Sequence, residues 1–161
     1  MPVAVIIDWY GPYNSLEDFI ADAKRMPQNG RYLYMGVKAG NIVNYIGLTK
    51  RPSSRFDYHR NMEHSENKKF YFGEIVTKGL AGRKTKGAKK TALDLDIAEH
   101  ALILELDPPL NDKRKQSNPD DCVSIFSRFF DVDDGEKPVR TLPKFPRLIA
   151  YDWWDDEWYS S

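Results

Sequence analysis

Tyr34, Tyr45, Arg55, His59 and Glu99 are side chains able to hold an anion, bind a cation or move a proton. Arg55 and His59 stand four apart, so a helix would place them on one face. A guanidinium can grip phosphate oxygens while an imidazole beside it gives or takes a proton. Arginine in a first helical turn is mildly disfavoured by the helix dipole, so Arg55 asks for an external anion. Glu99 has Leu95, Leu102 and Ile103 as its helical neighbours, which sets its carboxylate at the border of an apolar face. Either a salt bridge to a Lys or Arg or a hard divalent cation would offset that desolvation. Tyr34 and Tyr45 taken singly are ordinary strand residues. Gly47, two after Tyr45, removes a side chain where the strand turns towards a helix and permits close approach of substrate or backbone. Asn111, beyond Pro108 and Pro109, caps or pins a loop.

The elements that must position these groups follow from local pattern. Val3 to Ile7 reads as a short strand ending before Gly11-Pro12. Ser15 then caps a helix carrying Leu16, Phe19, Ile20 and Ala23 and stopping near Pro27 and Gly30. Tyr32 to Val37 and Ile42 to Leu48 are β-rich runs joined by Lys38-Ala39-Gly40-Asn41, where Gly40 and Asn41 accept positive φ, so an antiparallel hairpin is expected. Ser53 or Ser54 caps a second helix through about Met62, and Phe70 to Val76 is a third strand. Residues 77–90, with three glycines and six Lys or Arg, read as an exposed loop. They fail as a phosphate loop, because Ala88 follows Gly87 where Lys and then Ser or Thr are needed. Thr91 to Leu106 is a long helix with Leu93, Ile97, Ala101 and Leu104 on one stripe, ended by the two prolines. Val123 to Phe130 reads as a strand or a short helix, and prolines 138, 143 and 146 argue against long elements after it.

At 161 residues the chain fits one domain. Its formal net charge of zero conceals a division: residues 1–23 carry no bases and four acids, residues 24–90 sixteen bases and four acids, and residues 91–161 eight bases and sixteen acids. The +12 middle keeps a nucleic-acid partner open if the fold gathers it on one face. Cys122 is the only cysteine, which excludes an intramolecular disulfide or a thiolate metal cluster within one chain and favours a reducing compartment. No secretory signal and no run of eighteen apolar residues is found. A cytoplasmic protein without membrane attachment is expected, with the nucleus not excluded.

Tyr32-Leu33-Tyr34, Tyr45-Ile46-Gly47 eleven positions on, Arg55, His59, Glu99 on the long helix and Asn111 together resemble the GIY-YIG nuclease superfamily over about residues 30–113. The resemblance implies an α+β fold with a small three-stranded antiparallel sheet flanked by helices. One domain would span 1–161, its core at 30–113, with a strand-helix addition at 1–29 and an acidic, aromatic extension at 114–161. It implies a metal-dependent endonuclease that hydrolyses phosphodiester bonds in DNA. Tyr45 would accept the proton of the attacking water, Tyr34 would shape the same hydrogen-bond network, and Arg55 would stabilise charge on the phosphate. His59 would assist proton transfer, Glu99 would be the single protein ligand to Mg²⁺ or Mn²⁺, and Gly47 and Asn111 would support. Tyr32 departs from the pattern, standing where a glycine usually opens the first motif. The alternative is an inactive module that binds nucleic acid or protein.

For DNA contacts the candidates are Lys50, Arg51, Arg60, Lys68, Lys69, Arg83, Lys84, Lys86, Lys89 and Lys90. The end of the chain alternates Asp152, Asp155, Asp156 and Glu157 with Trp153, Trp154, Trp158 and Tyr159. Three roles are open to it: covering the basic groove as an autoinhibitory contact, docking a protein partner, or packing its indoles on the core.

Overall fold

The computed structural model describes residues 3–27, 31–49, 51–53, 61–77, 85–86 and 91–161. Alternation in the first strand, β1 (Val3–Tyr13), sets the frame: Val3, Val5, Ile7 and Trp9 are buried on one face. Their branched and aromatic side chains suit a pleated surface. β1 runs antiparallel to β4 (Asn67–Ile75) and parallel to β7 (Val123–Asp131). Trp9 therefore meets Gly73 on one side, where a Cβ would lie 2.7 Å from its ring, and donates to Ser127 Oγ at 3.2 Å on the other. Phe129 and Phe145 pack round the same indole.

The expected hairpin forms from β2 (Tyr32–Lys38) and β3 (Ile42–Thr49), with Gly40 and Asn41 at positive φ. β2 also pairs with β4, so β3 is the edge strand. Beyond β7 the sheet continues through β9 (Leu148–Asp152) to β10 (Glu157–Ser160), while the short β8 (Lys137–Val139) pairs separately with β7. The order is β10-β9-β7-β1-β4-β2-β3, eight strands with β8 included, curled into a half-barrel. β5 (Thr85–Lys86) and β6 (Thr91–Ala92) form a separate two-stranded ribbon.

The two α-helices among the described residues cover opposite faces. α1 (Leu16–Ala23) begins where Ser15 Oγ accepts from Asp18 N–H at 3.1 Å, and it buries Phe19 and Ala23 against Tyr13, Tyr34, Phe70 and Phe72. The Phe19 and Phe72 rings stack with centroids 3.8 Å apart. α2 (Leu93–Leu106) packs on the other face, where Leu95, Ala98, Ala101 and Leu102 are fully enclosed among Val5, Ile7, Leu33, Met35, Ile46 and Ile125. The inner stripe thus centres on Leu95, Ala98 and Leu102, one position round from the stripe through Leu93, Ile97 and Leu104. Buried Asp94 anchors the helix start by accepting both Arg31 terminal nitrogens, at 3.0 and 2.7 Å.

These findings correct the expected fold. Among the described residues a sheet of eight strands with two α-helices replaces the small three-stranded sheet, and the resemblance to the GIY-YIG nuclease superfamily is overturned with it. The strand expected as an N-terminal addition lies in the middle of the sheet. Residues expected as a C-terminal extension supply four of its strands, with Val123, Ile125, Ile149 and Tyr151 in the common core. Short motifs specify the hairpin and its neighbours, but the order of strands depends on apolar faces outside them. No described helix is long and apolar enough to cross a membrane.

Candidate functional site at the edge of the sheet

Tyr34 and Tyr45 project from the α1 face of the hairpin, one from each strand. In the register Tyr34 stands opposite Gly47 and Gly36 opposite Tyr45, so the tyrosines are diagonal neighbours with ring centroids 6.1 Å apart. A Cβ on Gly47 would lie 2.5 Å from both Cζ and the hydroxyl of Tyr34. The close approach expected at Gly47 is thus made by the Tyr34 phenol. The Tyr34 hydroxyl and the Asn61 amide donate to the Tyr45 oxygen and favour its ionised form. Burial opposes them most strongly, the Glu99 charge comes next and Asp112 adds to it, so Tyr45 is pushed up to about 12.

Glu99 stands on α2, on the other side of the sheet, and meets the β3 edge at Leu48. Because β3 is an edge strand, alternate residues present backbone groups that no strand can pair. Asn44 C=O accepts from Leu110 N–H at 2.9 Å. Asn111 Oδ1 takes the Ile46 N–H at 2.9 Å, and its Nδ2 donates to the Ile46 carbonyl at 2.8 Å. Leu48 N–H donates to Glu99. The chain after α2 and one carboxylate therefore complete the edge, and Asn111 pins the strand as well as the loop.

Burial pushes Glu99 up to about 7, and Asp96 adds to the rise; Arg114 and the Leu48 N–H oppose it. Arg114 Nε lies 3.6 Å from Glu99 Oε1, whereas its Nη2 is 2.5 Å from Asp96 Oδ1 and its Nη1 3.4 Å from the Asp96 carbonyl. The cation belongs mainly to Asp96 and compensates Glu99 only in part. Both readings of Glu99 drawn from the sequence remain chemically relevant: an ion pair is present, and the carboxylate still lacks full compensation. Arg114 itself adopts φ of 66°.

Arg55 and His59, the helix expected from Ser53 or Ser54 to Met62 over its residues 54–60, and Lys50, Arg60, Arg83, Lys84, Lys89 and Lys90 lie outside the described residues. Lys86 is described for its backbone alone. Arg51 is exposed just beyond β3, Lys68 is exposed on β4 with Nζ on Ser65 C=O at 3.2 Å, and Lys69 is half-buried beside it. Tyr32 is buried and donates to Glu74 Oε2 at 2.6 Å, away from the Tyr45 oxygen. The acidic, aromatic end forms the β9-β10 hairpin at the opposite end of the sheet order from β3, with Trp153 and Trp154 exposed at its tip and Trp158 packed on Tyr151.

Sequence reasoning missed Asn61, Asp96, Asp112 and Arg114. Asp96 precedes Glu99 by three positions, a spacing that could have flagged a shared cation. Asn61 and Arg114 lie in turns without a periodic signal. Searches of family models, of curated proteins and of solved structures find no match to this chain.

Proposed function

We propose that the protein is a divalent-cation-dependent endonuclease hydrolysing phosphodiester bonds in DNA, with Tyr45 and Glu99 at its centre. The single observation that carries this reading is at the β3 edge, where the buried Glu99 carboxylate accepts from Leu48 N–H and its charge acts on the Tyr45 phenol from the other side of the sheet. Glu99, Asp112 and two phenols are oxygen donors of the kind that Mg²⁺ or Mn²⁺ accepts. An ion of this kind can keep water and take substrate oxygens, so a single carboxylate ligand suffices for the reading. Glu99 would hold the cation, which when bound supplies Lewis-acid polarisation of the phosphate. Tyr45 would take the proton of the attacking water. Its two donors, Tyr34 and Asn61, are placed to hold the phenolate that this requires, and offsetting the Glu99 charge would lower the barrier to ionisation. Arg55 is assigned to the phosphate and His59 to proton transfer by residue chemistry alone.

The test is cleavage of supercoiled, linear, branched and single-stranded DNA, with RNA in parallel, in Mg²⁺, in Mn²⁺ and in chelator. Metal-dependent cleavage by the native protein, lost in Glu99→Gln and Tyr45→Phe, is the expected result. Absence of cleavage on every substrate, or equal cleavage by the native protein and both variants, would overturn the proposal.

A second reading has its own support: Arg114 and the Leu48 N–H already engage Glu99, as in a scaffold that binds without turnover. Under it DNA binding would be salt-sensitive and indifferent to chelation and to Tyr45→Phe. Chelator-sensitive turnover would exclude it.

A further inference from the structure

We propose that the cleft bordered by α1, β1, β2 and β4 binds an organic ammonium group, with tyrosine rings as its walls and carboxylates as counter-charge. The cleft encloses about 430 Å³, within the span of small-molecule sites. Tyr10 and Tyr13 come to it from β1 and Tyr32 from β2; Tyr10 is half-buried and offers the most open ring, while Tyr13 and Tyr32 are buried and touch the cleft with little exposed surface. Tyr13 donates its hydroxyl to Asp22, and Tyr32 donates to Glu74 at 2.6 Å. A phenol that donates to a carboxylate gains electron density in its ring, and electron-rich rings attract cations.

Charge in the cleft has a definite sign. Asp22, Glu74 and Glu136 line it, with Arg25 the only base among the described lining residues. The Arg25 side chain is 86% exposed and 3.9 Å from Asp22, so it runs to solvent instead of filling the space. Asp8, opposite Glu74 in the sheet, is already gripped by both Nε and Nη2 of Arg128, at 2.6 and 2.9 Å. Glu136 reaches the cleft through two successive left-handed residues, Gly135 at φ 64° and Glu136 at 58°.

The same features select an organic cation over a metal ion. Asp22 and Glu74 each accept a phenolic hydrogen, which takes up lone pairs that a metal ion would need. Met26 and Pro27 give the cleft an apolar wall for an alkyl chain. Neither Tyr34 nor Tyr45 lines it, so this inference stands apart from the nuclease reading.

The test follows tyrosine-ring resonances of the intact protein by NMR at fixed ionic strength. Three probes are titrated: n-butylammonium, Nα-acetyl-lysine methylamide and the neutral n-butanol. Both ammonium probes should shift Tyr10, Tyr13 and Tyr32 saturably, and n-butanol should not. Tighter binding of the lysine amide assigns the natural group to a peptide lysine, and tighter binding of n-butylammonium assigns it to a free amine. Glu136→Gln, on an exposed turn, and Glu74→Gln, which keeps an acceptor for Tyr32, should each weaken ammonium binding by about three- to tenfold. Absence of saturation with both ammonium probes, equal affinity for n-butanol, or unchanged affinity in both variants would overturn the proposal.

Discussion

The Tyr34 phenol lies over the α-carbon of Gly47, its cross-strand partner, leaving no room for a side chain: a Cβ there would stand 2.5 Å from the hydroxyl. Both residues are buried, so an added methyl at Gly47 has to be relieved by displacing the Tyr34 ring or the strand. Gly47→Ala should therefore lower stability by about 1–3 kcal/mol, the usual range for overpacking, and displace Tyr34 from Tyr45. Urea denaturation measures the first effect. The second should appear as a higher ionisation midpoint for Tyr45 in tyrosinate absorbance, with Tyr45→Phe locating its signal. A stability equal to the native protein's would contradict this packing.

Glu99 gives a pH dependence of definite sign. Its carboxyl rises from 4.5 to about 7 on folding, so the folded state holds the proton more tightly than the unfolded one. The contribution is fully present below pH 4.5 and is lost as pH rises through about 7. Its full size is about 3 kcal/mol, from roughly 1.4 kcal/mol per pKa unit. Glu99→Gln should flatten stability against pH between 4.5 and 7 in urea titrations. An unchanged slope would place the titration elsewhere.

Arg114 opposes the rise at Glu99 and so can be separated from it. Arg114→Met should move the Glu99 carboxyl midpoint above 7, followed by carbon NMR of the side chain. Where Glu99 is ionised, the same variant should bind Mn²⁺ about three- to tenfold more tightly, since a competing positive charge has gone. Electron paramagnetic resonance of free Mn²⁺ measures this without any turnover. Equal affinities would mean that Arg114 and the cation do not share Glu99.

Asn111 acts as a one-residue substitute for a missing strand. Asn111→Ala removes both bonds to Ile46 and leaves a buried N–H and C=O unpaired, for an expected loss of about 2–3 kcal/mol. Hydrogen exchange at Ile46 should accelerate more than exchange at Leu33 on β2, which is flanked by β3 and β4. Uniform acceleration would make Asn111 a general stabiliser and not an edge closure.

Local elements were legible because their causes are local. Ser15 and Asp18 make a helix start within four residues, the hairpin needs only two β-rich runs about Gly40-Asn41, and α2 is marked by sustained apolar content and two prolines. Val123 to Phe130 left strand and short helix open, and the structure decides for a strand whose buried and exposed residues alternate. The hint that Glu99 needed a cation was also readable, from its apolar neighbours. Which cation was not, since Arg114 is fifteen positions away in a turn whose left-handed backbone no periodicity announces.

By itself the sequence determined a hairpin that carries two tyrosines on one face, a helix that carries a misplaced acid, and a basic centre between acidic ends. Tertiary structure alone decided that β1 would sit between β4 and β7, bringing Trp9 to Ser127 across 118 positions, and that Glu99 would meet the β3 edge at Leu48 with its charge felt at Tyr45. The physical reason is one of range. Turns, caps and periodicity are satisfied by near neighbours, whereas strand order is settled by the burial of many apolar faces at once, and the site exists only where that burial leaves an edge.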